Sequence, residues 1–258
     1  MREQPVGRPV TGIRPVQYWD GTPVPFITGW SREHIPPQPL VARRGWRGTT
    51  GLGFQDETSH VDRHYDALWP RMSAARGGRP DFVTVHALRQ RQAMSRFLCQ
   101  VCGGPTLGTR RPDERTLFLA GSAAGRPLTD GERTASPPLH AVCARLAVEH
   151  CPPLGKGWVA ALVSHTPVWG VSGLLYDPHT LHSLPTADPT GMHHVPFTDE
   201  LRLRWVLAMR LVVTLVDVTP VTDLAALADE EVAVGRGTPD SRGWRADKPA
   251  TGTAPARS

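Results

Sequence analysis

The chain has 258 residues, of which 40% are hydrophobic, and its 29 basic and 24 acidic residues give a formal net charge of +5. It contains no run of about 18 apolar residues, so the sequence predicts no membrane-spanning segment. The opening residues MREQPVGRPVTG lack the apolar core of a signal peptide, which makes a cytoplasmic protein the expectation. No G-x-x-x-x-G-K-[ST] motif occurs, so a P-loop nucleotide hydrolase is excluded.

The first 80 residues are rich in proline and glycine and carry only short apolar or aromatic pieces, such as VPFITGW. This composition is typical of turns and short strands rather than of long regular elements. We therefore expect residues 1–80 to form an extended arm with one or two short strands.

A different pattern begins at Phe82. The segment FVTVHALRQRQAMSRFL (82–98) has no proline or glycine, and its apolar residues recur at roughly helical spacing. This spacing predicts a helix that leads directly into Cys99.

A pair of cysteines follows that predicted helix. The stretch FLCQVCGGP places Cys99 and Cys102 three residues apart and continues with two glycines and a proline. In a reducing cytosol, such a pair is more often a metal or redox site than a disulfide. A thioredoxin-like pair opens a helix, whereas this pair follows one and precedes residues that break a helix. The context therefore favours a metal site.

A second pair of metal-binding side chains lies further along the chain. PPLHAVCARLAVEHC has helical spacing and places His140 and Cys143 on the first turn of a predicted helix at 140–151, after a hairpin-like piece at 115–121. A cysteine turn, a hairpin and a helix that supplies the second pair form the layout of a treble-clef zinc site. The sequence thus predicts a structural zinc ion bound by Cys99, Cys102, His140 and Cys143.

Cys151 is the alternative fourth ligand. It lies eight residues beyond Cys143, two helical turns away and rotated by about 80°. This geometry favours His140 as the ligand and Cys151 as a packed side chain, but a site of four cysteines stays open. A further alternative is that the four cysteines are unconnected.

The last third of the chain begins with the best strand signal, in which KGWVAALVSHTPVWGVSGLLYDP (156–178) holds two apolar runs separated by SHTP. The pattern predicts a β-hairpin. Residues 199–217 form the longest amphipathic stretch, with Leu201, Trp205 and Leu215 on one side, and predict a helix. The Pro/Gly/Ala/Thr-rich end of the chain predicts disorder.

These elements together predict an α+β fold, with a treble-clef-like zinc site joined to a small β-rich region and a C-terminal amphipathic helix. The predicted regions are the arm at 1–80, a zinc-knuckle region at 81–155, a β-hairpin with an amphipathic helix at 156–235, and a disordered tail at 236–258.

Two resemblances bear on this site. LCQVCGGP and LHAVCARLAVEHC resemble the two metal-binding halves of treble-clef HNH endonucleases, which implies a structural zinc ion. Those enzymes also need an Asp-His on the hairpin and a histidine after the second pair, but no histidine lies between Cys102 and His140, and Ala144 follows Cys143. Residues 80–180 are also similar to uncharacterised proteins of actinobacteria and their mobile elements, which implies a zinc knuckle and supplies no activity.

The charge around the knuckle suggests a function. Between Arg71 and Arg115 there are nine arginines and three acidic residues, which favours nucleic acid as a partner, DNA in preference to RNA. The candidate contacts are Arg89, Arg91, Arg96, Arg110 and Arg111. The primary hypothesis is a zinc-stabilised, non-enzymatic nucleic-acid-binding protein. The alternative is a zinc-stabilised adaptor that binds a protein partner, and a degenerate HNH-type nuclease is a third.

Overall fold

The computed structural model describes residues 12–33, 36, 38–45, 48–107 and 115–236. Within these ranges the fold is α+β, dominated by short antiparallel strands. The strands are β1 (Gln17–Trp19), β2 (Thr22–Val24), β3 (Thr28–Trp30), β4 (Leu40–Arg44), β5 (Thr50–Phe54), β6 (Arg63–His64), β7 (Ala67–Leu68), β8 (Pro80–Val85), β9 (Thr116–Gly121), β10 (Arg133–Thr134), β11 (Trp158–His165), β12 (Val168–Leu175), β13 (His193–Pro196), β14 (Val206–Thr214) and β15 (Val216–Val221). The α-helices are α1 (Ser59–Asp62), α2 (Ala87–Ser95), α3 (Ala141–His150), α4 (Glu200–Leu203) and α5 (Leu224–Arg236).

The largest sheet has the order β13-β12-β14-β7-β6, and β10 also pairs with β14. Its pairings are antiparallel except for a single parallel contact between β14 and β7. Two glycines let the neighbouring strands approach β12. A Cβ atom on Gly170 would lie 2.1 Å from the carbonyl oxygen of Val195, and one on Gly173 would lie 2.2 Å from that of Leu207. Any side chain at either position would therefore separate the strands.

The two strands predicted at 156–178 are present as β11 and β12, but the hairpin predicted between them is wrong. β12 belongs to the large sheet, whereas β11 lies between β15 and β9 in a separate three-stranded sheet. Each strand is strongly apolar, its central residues are buried, and it is hydrogen-bonded to a partner on both edges. Those partners come from distant parts of the chain.

The helix predicted at 199–217 is also wrong. Only α4 is helical there, and β14 and β15 follow it. The run LVVT is rich in β-branched residues, which favour a strand, and β14 is covered on both edges by β12 and β7. The C-terminal helix of this protein is instead α5, which packs against α3. Of the tail predicted at 236–258, all but Arg236 lies outside the described residues.

The helix predicted at 82–98 starts later than expected. Residues 80–85 form β8, which pairs with β3, and α2 begins at Ala87 after an N-cap at His86. The segment FVTV lacks the apolar spacing of a helix and contains three β-branched residues. It therefore forms a strand that pairs with β3. No helix in the described ranges has the length and apolar character needed to cross a bilayer.

A buried ion pair joins α2 to the N-terminal region. The guanidinium of Arg89 (side chain 4% exposed) donates to both carboxylate oxygens of Glu33 (1% exposed) at 2.5 and 2.6 Å, and to the carbonyl oxygen of Thr28 at 2.6 Å. Burial alone would raise the pKa of Glu33, but the hydrogen bond and charge of Arg89 lower it below its usual value. The pair therefore stays ionised at neutral pH.

We predict that Arg89→Met lowers the free energy of unfolding by about 3–5 kcal/mol, because it leaves the charge of Glu33 buried without a partner. The double variant Glu33→Leu/Arg89→Met should recover most of that loss, since it removes both charges. As a control, Arg145→Met should cost about 1 kcal/mol or less, because its partner Asp229 is 78% exposed. Urea denaturation of the wild type and the three variants measures this, and an Arg89→Met variant as stable as the wild type would contradict the prediction.

Candidate metal centre

The cysteine pair lies on a tight turn after α2. The N–H of Gly103 donates to the carbonyl oxygen of Cys99 at 2.8 Å, and the N–H of Cys99 donates to that of Gly104 at 2.7 Å. The N–H of Gly104 lies 3.4 Å from the Sγ atom of Cys102 and points toward it. Gly103 has a φ of +70°, and a Cβ atom there would lie 2.5 Å from the ring of Phe26. Only glycine fits this turn without strain.

The second pair comes from the start of α3. His140 is its N-cap residue and Cys143 lies in its first turn. Two backbone hydrogen bonds hold this helix start against the rest of the site. The N–H of Gln100 donates to the carbonyl oxygen of Pro138 at 2.8 Å, and the N–H of Leu139 donates to that of Leu117 at 2.9 Å. The knuckle, β9 and the start of α3 thus form one backbone network.

The four predicted side chains converge. The ligand atoms of Cys99, Cys102, His140 and Cys143 all lie within 4.8 Å of one another, and all four residues are buried. The Nδ1 atom of His140 lies 3.3 Å from the Sγ atom of Cys102 and 3.9 Å from that of Cys143. Around a tetrahedral ion, with bonds of about 2.3 Å to sulfur and 2.0–2.1 Å to nitrogen, such atoms lie roughly 3.5–3.8 Å apart. These four residues can therefore hold a metal ion.

The orientation of His140 suits a ligand. Its Nε2 atom lies 2.9 Å from the carbonyl oxygen of Pro105, an acceptor only, so this nitrogen carries the proton. In the neutral form of the ring, which is the form that binds a metal, the lone pair of Nδ1 then points at the thiols. Metal-binding histidines characteristically donate their other N–H to such an oxygen, which fixes the ring and its tautomer.

The site also stabilises negative charge on sulfur. Hydrogen bonds from Cys143 and Cys99, together with those from His140 and the backbone N–H of Arg14, hold the pKa of Cys102 well below its usual range. Burial lowers the pKa of His140, but its contacts with the thiols of Cys102 and Cys99 outweigh burial and raise that pKa to about 11. A buried thiolate of this kind is a strong ligand for a cation.

Cys151 lies outside the cluster. It is the C-cap residue of α3 and is half-buried, and its N–H donates to the carbonyl oxygen of Ala147. All four cysteines are free thiols. The structure thus confirms the choice of His140 over Cys151 as the fourth residue of the cluster.

The structure brings together few of the arginines that the sequence predicted as a nucleic-acid-binding surface. The prediction for Arg89 is wrong, because its guanidinium is buried against Glu33. Arg91 is half-buried with its guanidinium 4.6 Å from the centre of the Trp69 ring, and burial lowers its pKa. Arg96 is exposed at the C-cap of α2. Arg110 and Arg111 lie outside the described residues.

Sequence analysis missed the contribution of the N-terminal region. The N–H of Phe26 donates to the carbonyl oxygen of Val101 at 2.9 Å, so the arm adds a strand-like contact to the knuckle. A Cβ atom on Gly104 would lie only 1.9 Å from the carbonyl oxygen of Gly12, so another backbone passes directly over this turn. The Gly-Gly pair was the one local signal that could have indicated this close approach.

Ala144, at the position where HNH endonucleases carry a histidine, is fully buried against this cluster. Comparison of the chain with known protein families, curated protein sequences and solved structures gives no match.

We predict that His140→Ala abolishes stoichiometric metal binding, because three thiols remain and no other side chain reaches the cluster among the described residues. Cys151→Ala should retain the metal and change the free energy of unfolding by about 1 kcal/mol or less, since its side chain is half-buried at a helix end. Elemental analysis and thermal unfolding of both variants measure this. Loss of metal from the Cys151 variant alone would move the fourth ligand to that residue.

Proposed function

We propose that this protein is a zinc-stabilised nucleic-acid-binding protein whose metal is structural rather than catalytic. The observation that carries the structural role is the convergence of four buried ligand atoms from two chain segments. Four protein ligands fill the coordination shell of zinc and leave no position for a water or a substrate. Three thiolates and one imidazole are a donor set typical of zinc.

The surroundings of the site support a treble-clef-like classification in part. A cysteine knuckle precedes a helix whose N-cap and first turn supply the second pair. The strand between them, β9, forms a single β-bridge to the start of this helix among the described residues, between Leu117 and Leu139, and its main partner is β11. In this proposal β11, which lies outside the zinc-knuckle region, pairs with β9 in place of the second strand of a local hairpin.

The nucleic-acid surface in this proposal lies around the knuckle, but with revised members. Arg14 and Arg96 are both exposed, both belong to segments that contact the knuckle, and neither side chain forms an ion pair with a described residue. Arg110 and Arg111 follow the knuckle in sequence. Arginines without carboxylate partners remain available to neutralise phosphates.

A protein partner is the second candidate, and β8 favours it. Phe82 is exposed there, and Val83 is 91% exposed on the same short strand. Large exposed apolar side chains of this kind can contribute to an interaction site. In this version the zinc ion supports an adaptor, and the arginines near the knuckle contribute only to solubility.

We predict about one zinc ion per chain in protein purified without chelators. Cys99→Ser and Cys143→Ser should lose the ion and become sensitive to proteases, because metal binding and folding are coupled at such a site. Elemental mass spectrometry and limited proteolysis measure this. Iron in place of zinc, or protein that is folded and free of metal, would contradict the proposal.

We predict that the protein binds mixed-sequence duplex DNA with an affinity that falls steeply with salt. Four arginines, namely Arg14, Arg96, Arg110 and Arg111, should give a slope of log K against log salt of about −3.6, since each phosphate contact contributes about 0.9. The variant Arg14→Gln/Arg96→Gln should flatten the slope by about 1.8 and keep the zinc ion. Fluorescence anisotropy with labelled DNA between low and moderate salt measures this.

The matched control is Arg126→Gln/Arg145→Gln, which removes the same charge from arginines already paired with Glu132 and Asp229. Its slope should equal that of the wild type. Absence of binding at low salt would overturn the nucleic-acid proposal, and an equal effect of the two double variants would show that net charge alone, rather than this surface, drives binding.

A further inference from the structure

An open cleft lies far along the chain from the metal ligands, between the β4–β5 hairpin, the turn that joins β6 to β7, and α4. Its volume is about 340 Å³. This is within the range of pockets that bind small molecules. The residues that line it carry three arginines, two carboxylates and two aromatic rings, and they come from three separate segments of the chain.

Two arginines of the cleft are not held by a close carboxylate. Arg43 makes long contacts, of 3.4 and 3.5 Å, with the carbonyl oxygens of Phe54 and Gln55, and its charge also interacts with the carboxylate of Glu57. Arg204 donates through Nε to the carbonyl oxygen of Glu200 at 3.0 Å. Neither forms an ion pair with a described residue. The third arginine, Arg63, differs because it binds the carboxylate of Glu57 through two nitrogens. Arg43 and Arg204 are therefore the groups available to an anion.

One wall of the cleft is aromatic. The rings of Tyr65 and Phe197 lie 4.9 Å apart between centroids, and Tyr65 is 46% exposed. The two rings are tilted by 40° to each other, and the exposed part of the Tyr65 ring offers a surface on which a planar ring can stack. The aromatic wall thus favours a ligand with a ring over a plain anion.

The turn that carries Tyr65 is strained. Tyr65 and the following Asp66 have φ values of +52° and +62°, in the left-handed region. Two-residue hairpin turns with this geometry favour asparagine and glycine, and a bulky aromatic residue in this region is uncommon. Strain of this kind concentrates at ligand-binding and catalytic sites. Asparagine and glycine would adopt this turn more readily, and the tyrosine instead packs its ring against Phe197 and His64.

The remaining groups select for hydrogen-bond donors on the ligand. The carboxyl-bearing side chains of Asp66 and Glu200 line the same cleft. Gly51, which lies opposite Arg43 in the hairpin, adds no side chain, and a Cβ atom there would lie 2.8 Å from the carbonyl oxygen of Arg204. The cleft therefore combines positive groups, acceptors and an aromatic surface in one open space.

The geometry points to a nucleoside phosphate as the ligand of this cleft. The phosphate binds Arg43 and Arg204, the base stacks on Tyr65, and the hydroxyl or amino groups of the ligand donate to Asp66 and Glu200. Arginine pairs well with phosphate because its planar group offers several donors at once. This site is separate from the metal centre and from the surface at Arg14 and Arg96.

The first test is isothermal titration of the zinc-loaded protein with the four nucleoside monophosphates, with the matching nucleosides, and with inorganic phosphate. We expect at least one monophosphate to bind at least 10-fold more tightly than its nucleoside and than phosphate. Equal affinity for phosphate and for every monophosphate would overturn the proposal in favour of a simple anion site. No binding of any monophosphate would overturn it as well.

Substitutions of the arginines that line the cleft test whether the ligand binds there. Arg43→Gln and Arg204→Gln should each weaken monophosphate binding about 10-fold and leave nucleoside binding unchanged. The control is Arg44→Gln, on the next residue of β4, which does not line the cleft and donates to the carbonyl oxygen of Gly48. A loss of affinity in Arg44→Gln equal to that in Arg43→Gln would contradict the assignment.

Substitutions of Tyr65 test ligand binding separately from folding. Tyr65→Gly removes both the ring and the backbone strain, so we expect a melting temperature equal to or above that of the wild type together with a loss of nucleotide binding of at least 10-fold. Tyr65→Phe should bind as the wild type does. Unchanged binding in Tyr65→Gly would overturn the role of the ring. Because Arg14→Gln/Arg96→Gln leaves this cleft intact, that variant should retain monophosphate binding even where DNA binding fails.

Discussion

The burial of three thiols and an imidazole in one small space is the constraint on which the rest of the structure depends. Cys99, Cys102 and Cys143 lie in the same buried cluster as apolar residues of β9, β11 and α5. Polar and ionisable groups in such a place need a compensating partner. A bound cation would supply that partner and at the same time tie the knuckle to α3. The sheet that contains β11 therefore shares its buried core with the four candidate metal ligands.

The N-terminal region is held to this core by polar contacts that are not local. Backbone contacts at Gly12 and Phe26 cover the knuckle turn, and the buried pair of Glu33 and Arg89 joins the same region to α2. An arginine that serves this purpose cannot serve a phosphate, because both of its terminal nitrogens donate to Glu33 or Thr28 and its side chain is only 4% exposed. A count of the arginines that lie near the knuckle in the sequence thus overestimates the positive charge on the protein surface there.

The features that the sequence predicted correctly depend on residues close together in the chain. Those that it did not predict depend on contacts between residues that are far apart in the chain. The metal ligands were predictable because C-x-x-C and H-x-x-C are local patterns, and α3 was predictable from its spacing. The role of Arg89 was not, because Glu33 is 56 residues away in the chain. The stretch at 199–217 carries apolar residues that suit either a helix or a strand, and only its neighbours β12 and β7 decide between them. The cleft has no sequence motif because three distant segments form it.

The order of strands in the large sheet has a consequence for synthesis on the ribosome. β14 is made after β6, β7, β12 and β13, yet it lies between β12 and β7. The central strand of the sheet is therefore the last to be made. Until β14 has emerged, β12 on one side and β7 on the other each have an unpaired edge. The metal ligands, by contrast, are complete once Cys143 has been translated. Nascent chains that stall between these two points would carry all four candidate metal ligands together with unpaired strand edges, which are the surfaces most prone to aggregation.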